Sequence, residues 1–91
     1  MDMIIKERGL GETTSAIQEA YWRGLPLVCT DEASKKHHTD MAKRMGYDID
    51  VITANECAIR NGRYDEVVVD DADFVLEKCL GVKISLATFN R

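Results

Sequence analysis

Proline is almost missing from this chain: Pro26 is the only one in 91 residues. No low-complexity stretch or linker interrupts the sequence, and residues 1–91 read as one domain. Cysteine is sparse too. Cys29, Cys57 and Cys79 form an odd set without a Cys-x-x-Cys spacing. Each sits in an apolar context, so buried thiols in a reducing cytoplasm are expected. Long apolar runs are missing. Val67-Val68-Val69 is far below the roughly 20 residues that span a bilayer, so no membrane partner is expected. The first residues lack the basic start, apolar stretch and small-residue cleavage site of a signal peptide, which again points to the cytoplasm. An excess of positive charge is missing as well: 12 basic against 16 acidic residues give a net charge of −4. That balance argues against tight, nonspecific binding of nucleic acid.

What is present is an average globular composition, 45% hydrophobic and 31% charged, arranged as short apolar runs alternating with amphipathic stretches. Met3-Ile4-Ile5 reads as a strand, after which Gly9 and Gly11 break regular structure. Thr13 or Thr14 starts a helix to about Trp22 that buries Ile17, Ala20 and Tyr21, and Gly24 closes it. A second strand covers 25–30. Asp31 caps a helix to about Met45 with Ala33, Met41, Ala42 and Met45 as its buried stripe, ended by Gly46. A third strand covers 49–53, and a short helix begins at Asn55. Residues 66–70 are the most strand-like run, and three consecutive valines predict a central strand covered on both faces. Asp71 or Asp73 opens a last helix, Gly81 ends it, and 82–88 alternates as a fifth strand. The alternation predicts an α/β three-layer sandwich around a mainly parallel five-stranded sheet, with right-handed crossovers. A flavodoxin-like doubly wound sheet has the same element order.

Two segments carry chemistry. Gly9-Leu10-Gly11-Glu12-Thr13-Thr14 lies between a strand and a helix. Glycines there turn backbone N–H groups toward a phosphate, the helix N-terminus adds partial positive charge, and Thr13 is placed to hold Mg²⁺. Lysine belongs at the position of Glu12 and the first glycine at the position of Lys6. The bland alternative is a tight turn. The second segment, Val69-Asp70-Asp71-Ala72-Asp73, puts paired acids at a strand's end. Asp70 would hold the metal and Asp71 would polarise the attacking water as the catalytic residue; the alternative is a helix N-terminus decorated with acids.

In order, these segments resemble the first motor domain of P-loop helicases and related phage ATPases. Residues 9–14 match the family's phosphate loop apart from Glu12. Thr30 and Thr53 fall where intermediate strands end. Asp70-Asp71-Ala72-Asp73 resembles the acidic box, and Ser85-Leu86-Ala87-Thr88 resembles the later Ser-Ala-Thr motif. The resemblance implies a P-loop NTPase-like fold, with the last strand between the first and the acidic-box strand. It implies ATP with Mg²⁺ as cofactors, gripped by Gly9, Leu10, Gly11, Glu12, Thr13 and Thr14, with the metal at Thr13 and Asp70.

Within these 91 residues the lysine is replaced by Glu12, and no second motor domain with its arginine finger is read. Replacing lysine by glutamate exchanges an attraction for a repulsion, each worth roughly 4 kcal/mol at about 4 Å and an effective dielectric near 20. Together they are of the size of the roughly 8 kcal/mol that holds a micromolar ligand. The expectation is a miniature, degenerate NTPase-like domain of phage or prophage type. It would bind a nucleotide weakly, or an unidentified protein partner, without efficient hydrolysis. The alternatives are an active ATPase that borrows Arg8, Lys6 or another subunit's cation, and a noncatalytic flavodoxin-like interaction module. His37 and His38 are adjacent on a helix, so they point to different faces and cannot chelate together; His37 with Asp40 or Met41 has ligand-like spacing, and an exposed helical histidine is the bland alternative. Lys35, Lys36, Lys43 and Arg44 are read as a solvated basic side, with nucleic acid or a partner as the alternative.

Overall fold

A computed structural model describes residues 11–59 and 64–86. The first helix, α1 (Glu12–Arg23), buries Ala16, Ile17 and Ala20 along one stripe. It ends at Gly24, where the Leu25 amide reaches the Ala20 carbonyl. The second, α2 (Glu32–Met45), is fixed at both ends by local chemistry. The Asp31 carboxylate accepts the Ser34 amide at 2.9 Å, satisfying one of the orphan donors of a first turn. Gly46 takes φ of 81°, and the Gly46 and Tyr47 amides close onto the Lys43 and Ala42 carbonyls. Only glycine enters that left-handed corner without strain. A short helix, α3 (Ala54–Ile59), opens on a reciprocal cap. The Glu56 amide donates to Thr53 Oγ1 at 3.0 Å, and the Thr53 amide donates to Glu56 Oε1 at 3.1 Å. The last helix, α4 (Ala72–Leu80), is flanked by Asp71 and Gly81 as its cap residues.

Three strands form a parallel sheet. The strand β1 (Leu27–Cys29) lies between β2 (Val51–Thr53) and β3 (Val68–Val69), giving the order β2-β1-β3. Leu27 stands opposite both Val51 and Val68. Pro26 lacks an N–H but its carbonyl accepts the Val68 amide at 3.0 Å, so it costs the ladder nothing on that side. Successive side chains of β1 serve opposite faces. Leu27 joins Ile17, Ala20 and Ala42 in one cluster, while Val28 joins Ile52, Ala54 and Val75 in another. Helices α1 and α2 therefore cover one face, and α3 and α4 cover the other.

The five-stranded, P-loop-type sandwich expected from the sequence is not what these residues build. The sheet has three strands among the described residues. Met3-Ile4-Ile5, expected as the first strand, lies outside the described residues. The expected fifth strand fails at 82–86, which is not extended sheet. The Ile84 amide that a ladder would need donates instead to the Glu77 carboxylate at 2.5 Å. Val82 and Leu86 stay 64% and 85% exposed, so the alternation there has no neighbour to bury it; Ala87 and Thr88 lie outside the described residues. Nor is the valine strand central: β3 is an edge of the described sheet and Val69 is 38% exposed. The central strand is β1, whose three residues are all buried.

Three smaller expectations also change. Of the thiols only Cys29 is buried; Cys57 is half-buried and Cys79 exposed. In α2, Ala33 is exposed and the buried positions are His38 and Ala42. Tyr21 is exposed, its ring 4.6 Å from that of Tyr47.

Candidate functional site

The C-terminal ends of parallel strands are where α/β sheets place their ligand sites, because the following helices begin there. Asp70 follows β3 at that end. Its amide donates to the Val28 carbonyl at 3.0 Å, which pins it to the central strand. Its side chain is buried, 4% exposed for the residue as a whole. A buried carboxylate is tolerable only with donors around it. Two arrive from distant segments. Thr13 Oγ1, in the first turn of α1, donates to Asp70 Oδ2 at 2.9 Å. His38 Nε2, on the buried side of α2, donates to the same oxygen at 2.7 Å. The other ring nitrogen of His38, Nδ1, lies 2.6 Å from the Ser34 carbonyl one turn earlier.

That geometry bears on the ring's protonation. A carbonyl and an ionised carboxylate are both acceptors, so the two contacts favour the doubly protonated imidazolium over either neutral tautomer. The hydrogen bond to Asp70 raises its pKa above the ordinary 6.5, overcoming the opposing effect of burial. For Asp70, burial pushes upward, but the bonds from His38 and Thr13 outweigh it and hold the carboxyl below 3.8. The result is a buried ion pair, with a threonine hydroxyl as third member.

The pair makes stability depend on pH with a definite sign. The raised pKa of His38 contributes fully below about pH 6.5 and is lost as pH rises through its folded value. The lowered pKa of Asp70 contributes above about pH 3.8 and is lost as pH falls through its folded value. Both contribute fully only between those limits. Urea unfolding at pH 5.5 should therefore give a higher midpoint than at pH 8.5; an equal or lower midpoint at pH 5.5 would contradict the ion pair.

The same contacts limit the chemistry. With both nitrogens engaged, His38 has no lone pair to serve as a general base, so Thr13, His38 and Asp70 are not a nucleophilic triad. Cys29 is no nucleophile either: burial, then the nearby Asp31 charge, push its thiol up to about 11, far from the depressed values of reactive thiols. Mg²⁺ requires oxygen ligands at about 2.0–2.1 Å in near-octahedral array. The Asp70 oxygen facing Thr13 is already in contact with a cation, and the 2.7 Å separation from His38 leaves no room for an ion between them. The residues present do not fit the metal that the sequence resemblance implies.

The remaining predicted site residues are placed as follows. Gly9 and Leu10 lie outside the described residues. Gly11 precedes α1 with φ of 86°, and Glu12 is the first helical residue. There its carboxylate complements the positive end of the helix, as an anion would. Thr14 is exposed. The amide of Asp71 donates to the Asp70 carboxylate. Among the described residues Asp71 is the one non-glycine with positive φ, 55°, a conformation that aspartate tolerates better than most residues. Thr30 and Thr53 lie at the C-terminal ends of the neighbouring strands β1 and β2, Thr53 being spent on the α3 cap. On α2 the basic side is divided: Lys35 pairs with Glu56 at 2.9 Å, whereas Lys36, Lys43 and Arg44 are exposed.

His38 was the functional residue least visible in sequence. The signal for it was helical spacing: it lies four residues after Ser34 and four before Ala42, so a stripe that buries Ala42 also buries His38. His37, next to it, is exposed as expected. Thr13 and Asp70, read from two separate motifs 57 residues apart, are brought together. No helix among the described residues is long and apolar enough to cross a membrane. No known protein family, curated protein or solved structure matches the chain.

Proposed function

We propose that this chain is a degenerate nucleotide-site domain of P-loop-like ancestry that binds a nucleotide weakly, or a protein partner, without efficient hydrolysis. One observation carries the reading: the 2.9 Å bond between Thr13 and Asp70. The threonine follows a glycine turn at the start of a helix, and the acid follows a parallel strand. In the family that the sequence resembles, a hydroxyl and an acid at these motif positions meet at the nucleotide's metal. Glu12 in the place of lysine argues against turnover, because phosphoryl transfer depends on positioned positive charge. The partner half of the reading is supported by Leu76 and Leu80, exposed one helical turn apart on α4, since apolar exposure on one helix face marks interaction surfaces.

The test is an amide-resolved titration with ATP, with and without Mg²⁺, of the chain beside its Glu12→Lys variant. Shifts confined to 11–14 and 70–71 at millimolar ATP are expected, with affinity about tenfold or more higher in the lysine variant, a gain of 1.4 kcal/mol. No ATP turnover is expected from the unmodified chain. Spectra unmoved in both chains would remove the nucleotide from the reading and leave the partner; sustained turnover would refute the noncatalytic half.

A further inference from the structure

We infer that His38 is a built-in counter-ion that fills the cation position at Asp70, so that Thr13 and Asp70 do not take a divalent metal while His38 is in place. The ring is 5% exposed and the carboxylate residue 4%. Its orientation is fixed from behind by the Ser34 carbonyl at 2.6 Å, on the same helix. From the front it contacts the very oxygen that Thr13 contacts, at 2.7 and 2.9 Å. A metal bound to that oxygen would have to displace the ring or sit against a positive charge in a low-dielectric interior, where such repulsion is least screened. The exclusion of metal rests on these contacts alone; its meaning for a nucleotide rests on the reading above. In that reading the site is silenced twice. Glu12→Lys restores a phosphate-binding charge but leaves the metal position filled, and Mg²⁺-dependent tightening of ATP requires Glu12→Lys together with His38→Gln.

The test uses Mn²⁺ alone, at millimolar concentration and without nucleotide, read as paramagnetic broadening of amide signals. In the unmodified chain, broadening is expected beside exposed acids such as Asp48 and Asp50, which serve as an internal control, and not at Thr13, Asp70 or Asp71. In His38→Gln it should appear at those three. In His38→Lys, which keeps a cation, it should stay absent. Broadening at Thr13 and Asp70 in the unmodified chain overturns the inference, as does its absence in a folded His38→Gln chain. Should the Gln variant fail to fold, recovery of its amide dispersion on adding Mn²⁺ upholds the inference, and no recovery overturns it. Because ATP is left out, failure here leaves the nucleotide reading standing, and the ATP titration decides that separately.

Discussion

Asp70→Ala should destabilise the fold by about 3–5 kcal/mol, the usual cost of stranding one member of a buried ion pair. Removing the carboxylate leaves the His38 imidazolium and the Thr13 hydroxyl buried with no acceptor in front of them. It also removes the side-chain hydrogen bonds that tie α1 and α2 to the end of β3. Small domains have only about 5–15 kcal/mol to lose, so the variant should give up a large share of its stability. Asp70→Asn keeps an acceptor for Thr13 and should cost less, about 1–3 kcal/mol, while abolishing the preference for mildly acidic pH. In Asp70→Ala combined with His38→Ala, the loss should be smaller than the sum of the single losses, because the second change removes the stranded charge. Chemical denaturation of the four chains measures this. Additive losses would mean that the two residues do not interact.

Leu27→Ala should cost about 2–5 kcal/mol, the range for truncating a fully buried leucine. Leu27 is 0% exposed and is the residue of the central strand that faces Ile17, Ala20 and Ala42. It also stands opposite Val51 and Val68, so both edge strands align on it. A cavity there weakens the α1–sheet–α2 contact at its middle. For a domain of this size each kcal/mol lowers the melting temperature by roughly 4–8 °C, so calorimetry should show a drop of about 10 °C or more. Leu86→Ala is the contrast. At 85% exposed it should fall within about 0.5 kcal/mol of the unmodified chain. Equal effects at the two positions would contradict the assignment of the core.

The sequence was most legible where the determinant is local. Asp31 as a helix cap, and Gly24, Gly46 and Gly81 as helix ends, follow from the needs of orphan N–H and C=O groups within a few residues. Asp70 was legible as an acid at a strand end for the same reason. Sheet order was not, because it depends on pairing between segments far apart. The valine run looked central, yet the Leu-Val-Cys strand holds that place. The alternation at 82–86 looked like a strand, but one side-chain bond from Glu77 took its amide. His38 shows the same limit at the site. Burying an imidazolium is favourable only with an acceptor in front of it, and that acceptor comes from Asp70, 32 residues away. Helix periodicity marked the position, but only the tertiary partner explains why a histidine occupies it.

Thr13 and His38 converge on Asp70 in one hydrogen-bonded network. The most direct measurement is a titration of the His38 ring nitrogens by ¹⁵N magnetic resonance. The expected midpoint lies above 6.5, with both nitrogens protonated below it and a single proton lost from the ring above it. A midpoint below 6.5, or one ring nitrogen that stays unprotonated at pH 6, would contradict the charged network.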